Sequence, residues 1–411
     1  MMAVPFNTAQ VPHENIEVSD AGDFTIHINE FDPAIRQDKR SSDDADEAGA
    51  KGLVRTASLK VQKGILVGHS QYFKTMFDGR WAHGPKEDSV ILNEDTVRSM
   101  ELWLRMLHST TDALPKQNLS VEEVWHAIMA GDKYGFDLRE LQEWFVAWYK
   151  EMRNASGKKT FFEEFAPQLL FPCYAFNYAE GFQELTRFMT YNEPRHIMEF
   201  NPTHHLQMHL RPRIIHQDRS RPADQSILAE QLNAAKGRLR TILHLALFKR
   251  VNEIIDRATC ACKEQTVFDF LKELRRIDVS PLDLSSTKAS VAEMLDRLRQ
   301  YDGTNTRSHG LSSNDTSLNQ SRQIPCSVCW LDGETIVQQA IGRVSNYFDG
   351  LCLDCMDRTK DLRVEANKDQ DYWFHNEWKE SYDRRCRISH GEPTWYFSFM
   401  GRKEKRGLIA E

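Results

Sequence analysis

Two C-x2-C pairs near the C-terminus restrict this chain more than any other feature. They are Cys326 with Cys329 and Cys352 with Cys355, and 22 residues lie between the pairs. A C-x2-C step folds into a tight knuckle that aims both sulfurs at one ion, and two knuckles complete a tetrahedral site. The spacing is a little longer than a common zinc pattern, an excess that the intervening loop absorbs. The segment "AIGRVSNYFDGL" between them supplies apolar residues to pack beneath a site. Of the other four cysteines, Cys260 and Cys262 form "CAC", Cys386 stands four residues before His390 in "CRISH", and Cys173 is alone. The start of the chain, "MMAVPFNTAQVPHEN", has neither a basic n-region nor an apolar h-region, so no export signal is expected. Thiols kept in the cytoplasm or nucleus stay reduced, and clustered cysteines then point to metal rather than to disulfides. The expected cofactor is therefore structural Zn2+, with Cys326, Cys329, Cys352, Cys355, Cys386 and His390 as candidate ligands. Two partitions are open. In one, "CAC" joins the first knuckle on one ion, and the second knuckle joins Cys386 and His390 on another. In the other, one ion takes the four knuckle cysteines and the remaining four candidates are bystanders. A closed four-thiolate site leaves no position for water or substrate, which makes it structural.

At 411 residues the chain has room for two or three domains, and 40% hydrophobic residues support a sizeable core. The formal charge of −7 disfavours a nucleic-acid footprint over the whole molecule. No apolar run has the length needed to span a bilayer. Residues 1–21 read as a loose leader. "DFTIHI" (23–28) alternates as a half-buried strand does, 36–52 is polar and charged like a disordered insertion, and 53–66 recovers strand character. A short helix follows Ser70, and "SVIL" (89–92) is a further strand. Three helices come next. The first covers 96–108. The second opens on a capping box of Ser120 and Glu123, and the third carries Leu138, Leu141, Phe145 and Trp148. Residues 158–302 are mainly helical, with Pro167 and Pro172 dividing an aromatic-rich stretch. A long amphipathic helix over 227–258 presents Leu239, Ile242, Leu243, Leu247, Val251, Ile254 and Ile255 on one face, and two shorter helices lie around 268–274 and 291–298. The Gly/Ser/Thr/Asn-rich segment 303–323 reads as a linker before a Cys-rich module over 324–411.

The block "LVGHSQYF" invites comparison with the G-x-S-x-G nucleophile elbow. That turn needs a small residue two places after the serine, and Tyr72 stands there. Ser70 is expected instead to cap a helix. The order strand, strand, "ILVGHSQYFKTMF", strand, helix pair resembles a BTB/POZ domain over about 22–152, with Val61, Leu66, Ser70, Tyr72, Phe73, Met76 and Phe77 on the family's pattern. The chain departs from that pattern at Gln62, where the family usually has histidine, and at His108, where a tyrosine commonly ends the third family helix. Four later blocks, "FPCYAFNYAEGF", "LNAAKGRLRTILH", "YFDGLCLDCMD" and "HGEPTWYFSFMGR", are similar to a group of fungal BTB proteins. The resemblance implies an α+β protein: a BTB/POZ-like α/β domain, a mainly helical middle region and, from the cysteines, a small zinc-stabilised C-terminal module. It also implies a non-enzymatic protein–protein interaction role, through homo-oligomerisation or as a cullin ubiquitin-ligase adaptor. The adaptors' hydrophobic-x-Glu contact motif is not clear in "MELWLRMLHSTTDALP".

Rival readings are a transcription regulator whose zinc module touches DNA, and a zinc-dependent hydrolase. Between Arg322 and Glu365 five basic residues face seven acidic ones, a balance that repels phosphate. Trp373, Trp378 and Trp395 offer stacking surfaces in the tail, and "GRKEKRG" is only weakly basic. His205 and His209 have zincin spacing, but Leu206 stands where the zincin general base belongs. The expectation is thus protein partners, a homo-oligomer, no membrane and no nucleic acid, with residence in the cytoplasm or nucleus.

Overall fold

The computed structural model describes residues 11–32, 52–78, 88–110, 119–198, 200–203, 227–279, 288–305, 328–354 and 386–389. The chain divides into two compact units, Met1–Tyr178 with Glu199–Arg213, and Ala179–Met198 with Ile214–Glu411.

In the first unit a four-stranded sheet is built from β1 (His13–Glu17), β2 (Phe24–Phe31), β3 (Leu53–Val61) and β4 (Ser89–Leu92) in the order β1-β3-β2-β4. β2 and β3 are antiparallel, with Ile26 opposite Leu59, while β1 lies parallel to β3 and β4 parallel to β2. Alternation fixes the faces: Phe24, Ile26 and Ile28 of β2 and Ala57, Leu59 and Val61 of β3 are buried. β1 corrects the reading of 1–21 as a loose leader. "HENIE" has too little apolar content to announce a strand, yet it gains a full ladder along the edge of β3. A two-oxygen contact from Arg55 to Glu14 pins it there (2.7 Å to each oxygen).

Strand character also ends earlier than 66. After β3, α1 (Lys63–His69) and α2 (Gln71–Phe77) follow with only Ser70 between them. Ser70 is extended, and its hydroxyl oxygen accepts from the Phe73 amide at 3.1 Å, the expected cap. The same hydroxyl donates to the Tyr134 carbonyl at 2.6 Å. Next come α3 (Val97–Leu107), α4 (Val121–Tyr134), a 3-10 turn (Leu138–Leu141), α5 (Gln142–Ser156) and α6 (Lys158–Ala175). The Ser120–Glu123 capping box is present at the start of α4, and Gly135 in the left-handed region (φ 68°) ends it.

Pro167 and Pro172 do not divide their helix. α6 runs through both. Pro172 has no N–H for the Gln168 carbonyl, and the Trp125 indole of α4 donates to that carbonyl instead (2.8 Å). Aromatic rings seal α5 against α6: Phe145 stacks on Phe176 (4.6 Å between centroids) and Tyr149 meets Phe161 edge-on (5.1 Å). This shared core carries the first unit to Tyr178, past the boundary at 152 suggested by the sequence. The proposed insertion at 36–52 lies almost wholly outside the described residues.

In the second unit α7 (Ala179–Asn192), α9 (Lys263–Arg276), α10 (Val291–Leu298) and α11 (Gly333–Ser345) pack against the long helix α8 (Ile227–Arg257). Its seam is Leu232, Ala235, Leu239, Ile242, Leu243, Leu247, Val251 and Ile254. Ile255, assigned to that face from the sequence, is 47% exposed, because it is one step round the helix from Ile254. α11 falls between the two knuckles, where an apolar loop was expected. Asp332 caps it, and Val337, Ala340, Ile341 and Val344 supply a helical stripe that packs on α8. The segment 328–354 lies in the same compact unit as these helices. Gly303–Asn305 form a 3-10 turn, and the rest of the predicted linker lies outside the described residues.

Candidate metal centre

Six free cysteines lie among the described residues, and five of them gather into two groups in the second unit. The first group is Cys260, Cys262 and Cys329, whose sulfurs all lie within 4.8 Å of one another. The α8–α9 turn provides the first two. α8 ends at Arg257, the turn "ATCAC" reverses the chain, and the Cys260 and Cys262 carbonyls accept from the Lys263 and Thr266 amides at the start of α9. Cys329 arrives from 69 residues away, with its sulfur 2.9 Å from that of Cys260, while Cys262 lies 3.4 Å from Cys260. A covalent S–S bond measures about 2.05 Å, so the thiols are unbonded. Thiolates on one tetrahedral ion stand roughly 3.7 Å apart, given metal–sulfur bonds of about 2.3 Å, so a small outward movement of the sulfurs accommodates an ion.

Position and environment support the group. Arg250 of α8 donates to the carbonyls of Val328 (2.9 Å) and Trp330 (3.3 Å), on either side of Cys329. Cys329 is fully buried with Ile254 and Ala258, and Val267 and Leu331 pack beside them. A water-poor shell of this kind strengthens the attraction between thiolates and a cation.

The second group is Cys352, Asp354 and Cys386. Cys352 is buried between Leu351 and Leu353. The chain here is laced to α7: the Leu351 amide donates to Thr186 Oγ1 (2.9 Å), and the Phe348 amide to the Tyr191 hydroxyl (3.3 Å). Gly350 has φ 94°, and a Cβ there would stand 2.3 Å from the Gln183 carbonyl oxygen, so only glycine allows this approach. The far segment is held from the same helix, since Gln183 Nε2 donates to the Ser389 carbonyl (3.1 Å). Asp354 binds the residue beside Cys386: its Oδ2 accepts from the Arg387 amide (2.7 Å), and its Oδ1 from Arg387 Nε (2.9 Å) and a terminal guanidinium nitrogen (2.7 Å).

Of the ligands expected from the sequence, Cys329, Cys352 and Cys386 are described and each belongs to a cluster. Cys326, Cys355 and His390 lie outside the described residues, as do His205, His209, Trp373, Trp378 and Trp395. Cys329 and Cys352 do not share a cluster, so the described thiols follow the partition in which "CAC" joins the first knuckle. Asp354 and Arg387 flank cysteines in sequence but escaped sequence reasoning because only folding pairs them with each other, and Arg250 reaches Cys329 only through the fold. These clusters can hold a metal ion. Among the described residues no helix is long and apolar enough to cross a membrane. Compared with protein-family models, curated proteins and solved structures, the chain matches none.

Proposed function

We propose that this chain is a non-enzymatic interaction protein, working in a thiol-reducing compartment. Its first unit is a BTB/POZ-like module for self-association or partner recruitment, and its second is a helical scaffold stabilised by structural zinc. The observation that carries the reading is the arrangement around Ser70. Two antiparallel strands lead into a helix pair broken at Ser70, a further strand lies parallel to β2, and a helix series follows. That is the order the resemblance leads one to expect. The two departures from the family pattern also meet: the Gln62 amide donates to His108 Nε2 at 2.9 Å. Ser70 itself supports a structural role, because its hydroxyl is spent on two backbone hydrogen bonds within the core.

Zinc suits the thiol clusters because soft thiolates select zinc over magnesium or calcium, and C-x2-C spacing makes Cys326 and Cys355 natural additional ligands, with His390 four residues after Cys386. A cullin scaffold is one partner class this architecture serves. Sedimentation velocity of the full chain at tens of micromolar tests the interaction reading. A dimer or larger assembly is expected, and a clean monomer that also fails to capture any cullin removes both partner roles.

A further inference from the structure

We propose that the second unit holds two separate thiolate-bound metal ions. One is bound by Cys260, Cys262 and Cys329, the other by Cys352 and Cys386, with Asp354 as a positioning residue rather than a ligand. The inference rests on the structural-metal reading and deepens it. Sequence spacing by itself leaves one ion or two open, and the fold does not bring Cys329 and Cys352 into one cluster. Instead it draws in the α8–α9 turn, whose two thiols have no knuckle of their own. Three thiols converge there with an apolar shell of Ile254, Ala258, Val267 and Leu331. Such crowding is unfavourable for several thiolates unless a cation sits between them. On binding, each thiol gives up its proton as the metal–sulfur bond forms.

In the second cluster Asp354 lies within ligand range, but both of its oxygens accept hydrogen bonds from Arg387. An Asp–Arg clamp next to Cys386 orients that sulfur toward Cys352, the role that outer partners of metal ligands commonly fill. The two thiols come from distant segments, and both segments are fastened to α7, through Thr186 and through Gln183. One helix thus anchors both halves of the site.

Native mass spectrometry of the full chain, purified without chelator, counts the zinc directly. Wild type should carry two ions, and Cys260→Ser and Cys386→Ser one each. Asp354→Asn should keep both under zinc excess but lose one to a chelator about 10- to 100-fold weaker than wild type requires, the usual cost of removing an outer-shell partner. Cobalt substitution of Asp354→Asn should retain the sulfur-to-cobalt absorption of both sites, because no ligand has been removed. If the serine variants do not fold, the wild type serves. Under stepwise chelation Cys260, Cys262 and Cys329 should become open to alkylation as one set, and Cys352 and Cys386 as another. A single zinc that vanishes in both serine variants, or all five thiols opening together, overturns the two-site inference while leaving structural zinc intact. Wild type with no metal and a Cys260–Cys329 disulfide overturns both. Loss of one ion's sulfur-to-cobalt band in Asp354→Asn under cobalt excess makes Asp354 a ligand and refutes its positioning role.

Discussion

Ser70 and His108 each satisfy two groups in the first unit at once. The Ser70 hydroxyl takes the Phe73 amide and gives its proton to the Tyr134 carbonyl. Ser70→Ala removes a cap and strands a buried carbonyl, so chemical denaturation should show a loss of about 2 kcal/mol. An unchanged midpoint would mean that neither bond matters. His108 is held in one tautomer. Its Nε2 accepts from the Gln62 amide, so its proton sits on Nδ1, which donates to the Leu104 carbonyl at 2.7 Å. Burial pushes its pKa below the ordinary histidine value, and the nearby His69 adds to that, against the Leu104 bond. The folded state therefore keeps the ring neutral where the unfolded chain protonates it. The contribution is complete above the ordinary value near about pH 6.5 and is lost as pH falls through it toward the folded value. Acidification from about pH 7.5 to about pH 5.5 should thus destabilise wild type more than His108→Gln, a residue that keeps an acceptor and cannot charge. Equal losses in the two proteins would show that His108 titrates without effect.

At the scale of the element, α6 shows how a neighbour rescues a helix that its own sequence breaks. Pro172 removes the amide that Gln168 would otherwise use, and the Trp125 indole takes its place. Trp125→Phe should keep most of the ring contact with Phe171, whose centroid is 5.0 Å away, while deleting that hydrogen bond. We expect a loss of about 1 kcal/mol in unfolding free energy, with faster amide exchange around 168–172. Unaltered exchange there would show that water replaces the indole at no cost. β1 makes the complementary point, since its five residues become a strand only because β3 offers an open edge and Arg55 a counter-charge for Glu14.

At the scale of the whole molecule, the thiol clusters bring together segments far apart in the chain, and each unit should answer differently to removal of the proposed zinc. Structural zinc contributes on the order of 10 kcal/mol to the fold it closes. Chelation should deprotect the α8–α9 turn and 328–354 in hydrogen exchange, while β2 and β3 keep their protection, because the first unit closes its core without a described thiol cluster. Equal deprotection of the sheet would refute that independence. The same boundary warns against cutting the chain at 152, which would strip α6 and its aromatic contacts from α5.

Local rules were legible in the residues. The alternation of "FTIHI", the Ser70 cap, the Ser120–Glu123 box and the apolar seam of α8 all depend on neighbours within about eight positions, and all are present in the fold. The cysteine pattern pointed to thiol clusters that could hold a metal for the same reason, since a knuckle is a local object. α11 was also written locally, in Asp332 and the Val337, Ala340, Ile341, Val344 spacing, but the metal pattern on either side drew the reading toward a loop. What the tertiary structure alone decided is long-range pairing. Which thiol meets which, across the 69 residues from Cys260 to Cys329, follows from how α8 and α11 pack. So do the Asp354–Arg387 clamp, the rescue of Pro172 by Trp125 and the recruitment of β1. Each of these contacts closes a loop tens of residues long, and such closure depends on the summed burial of whole elements rather than on any spacing a short window can display.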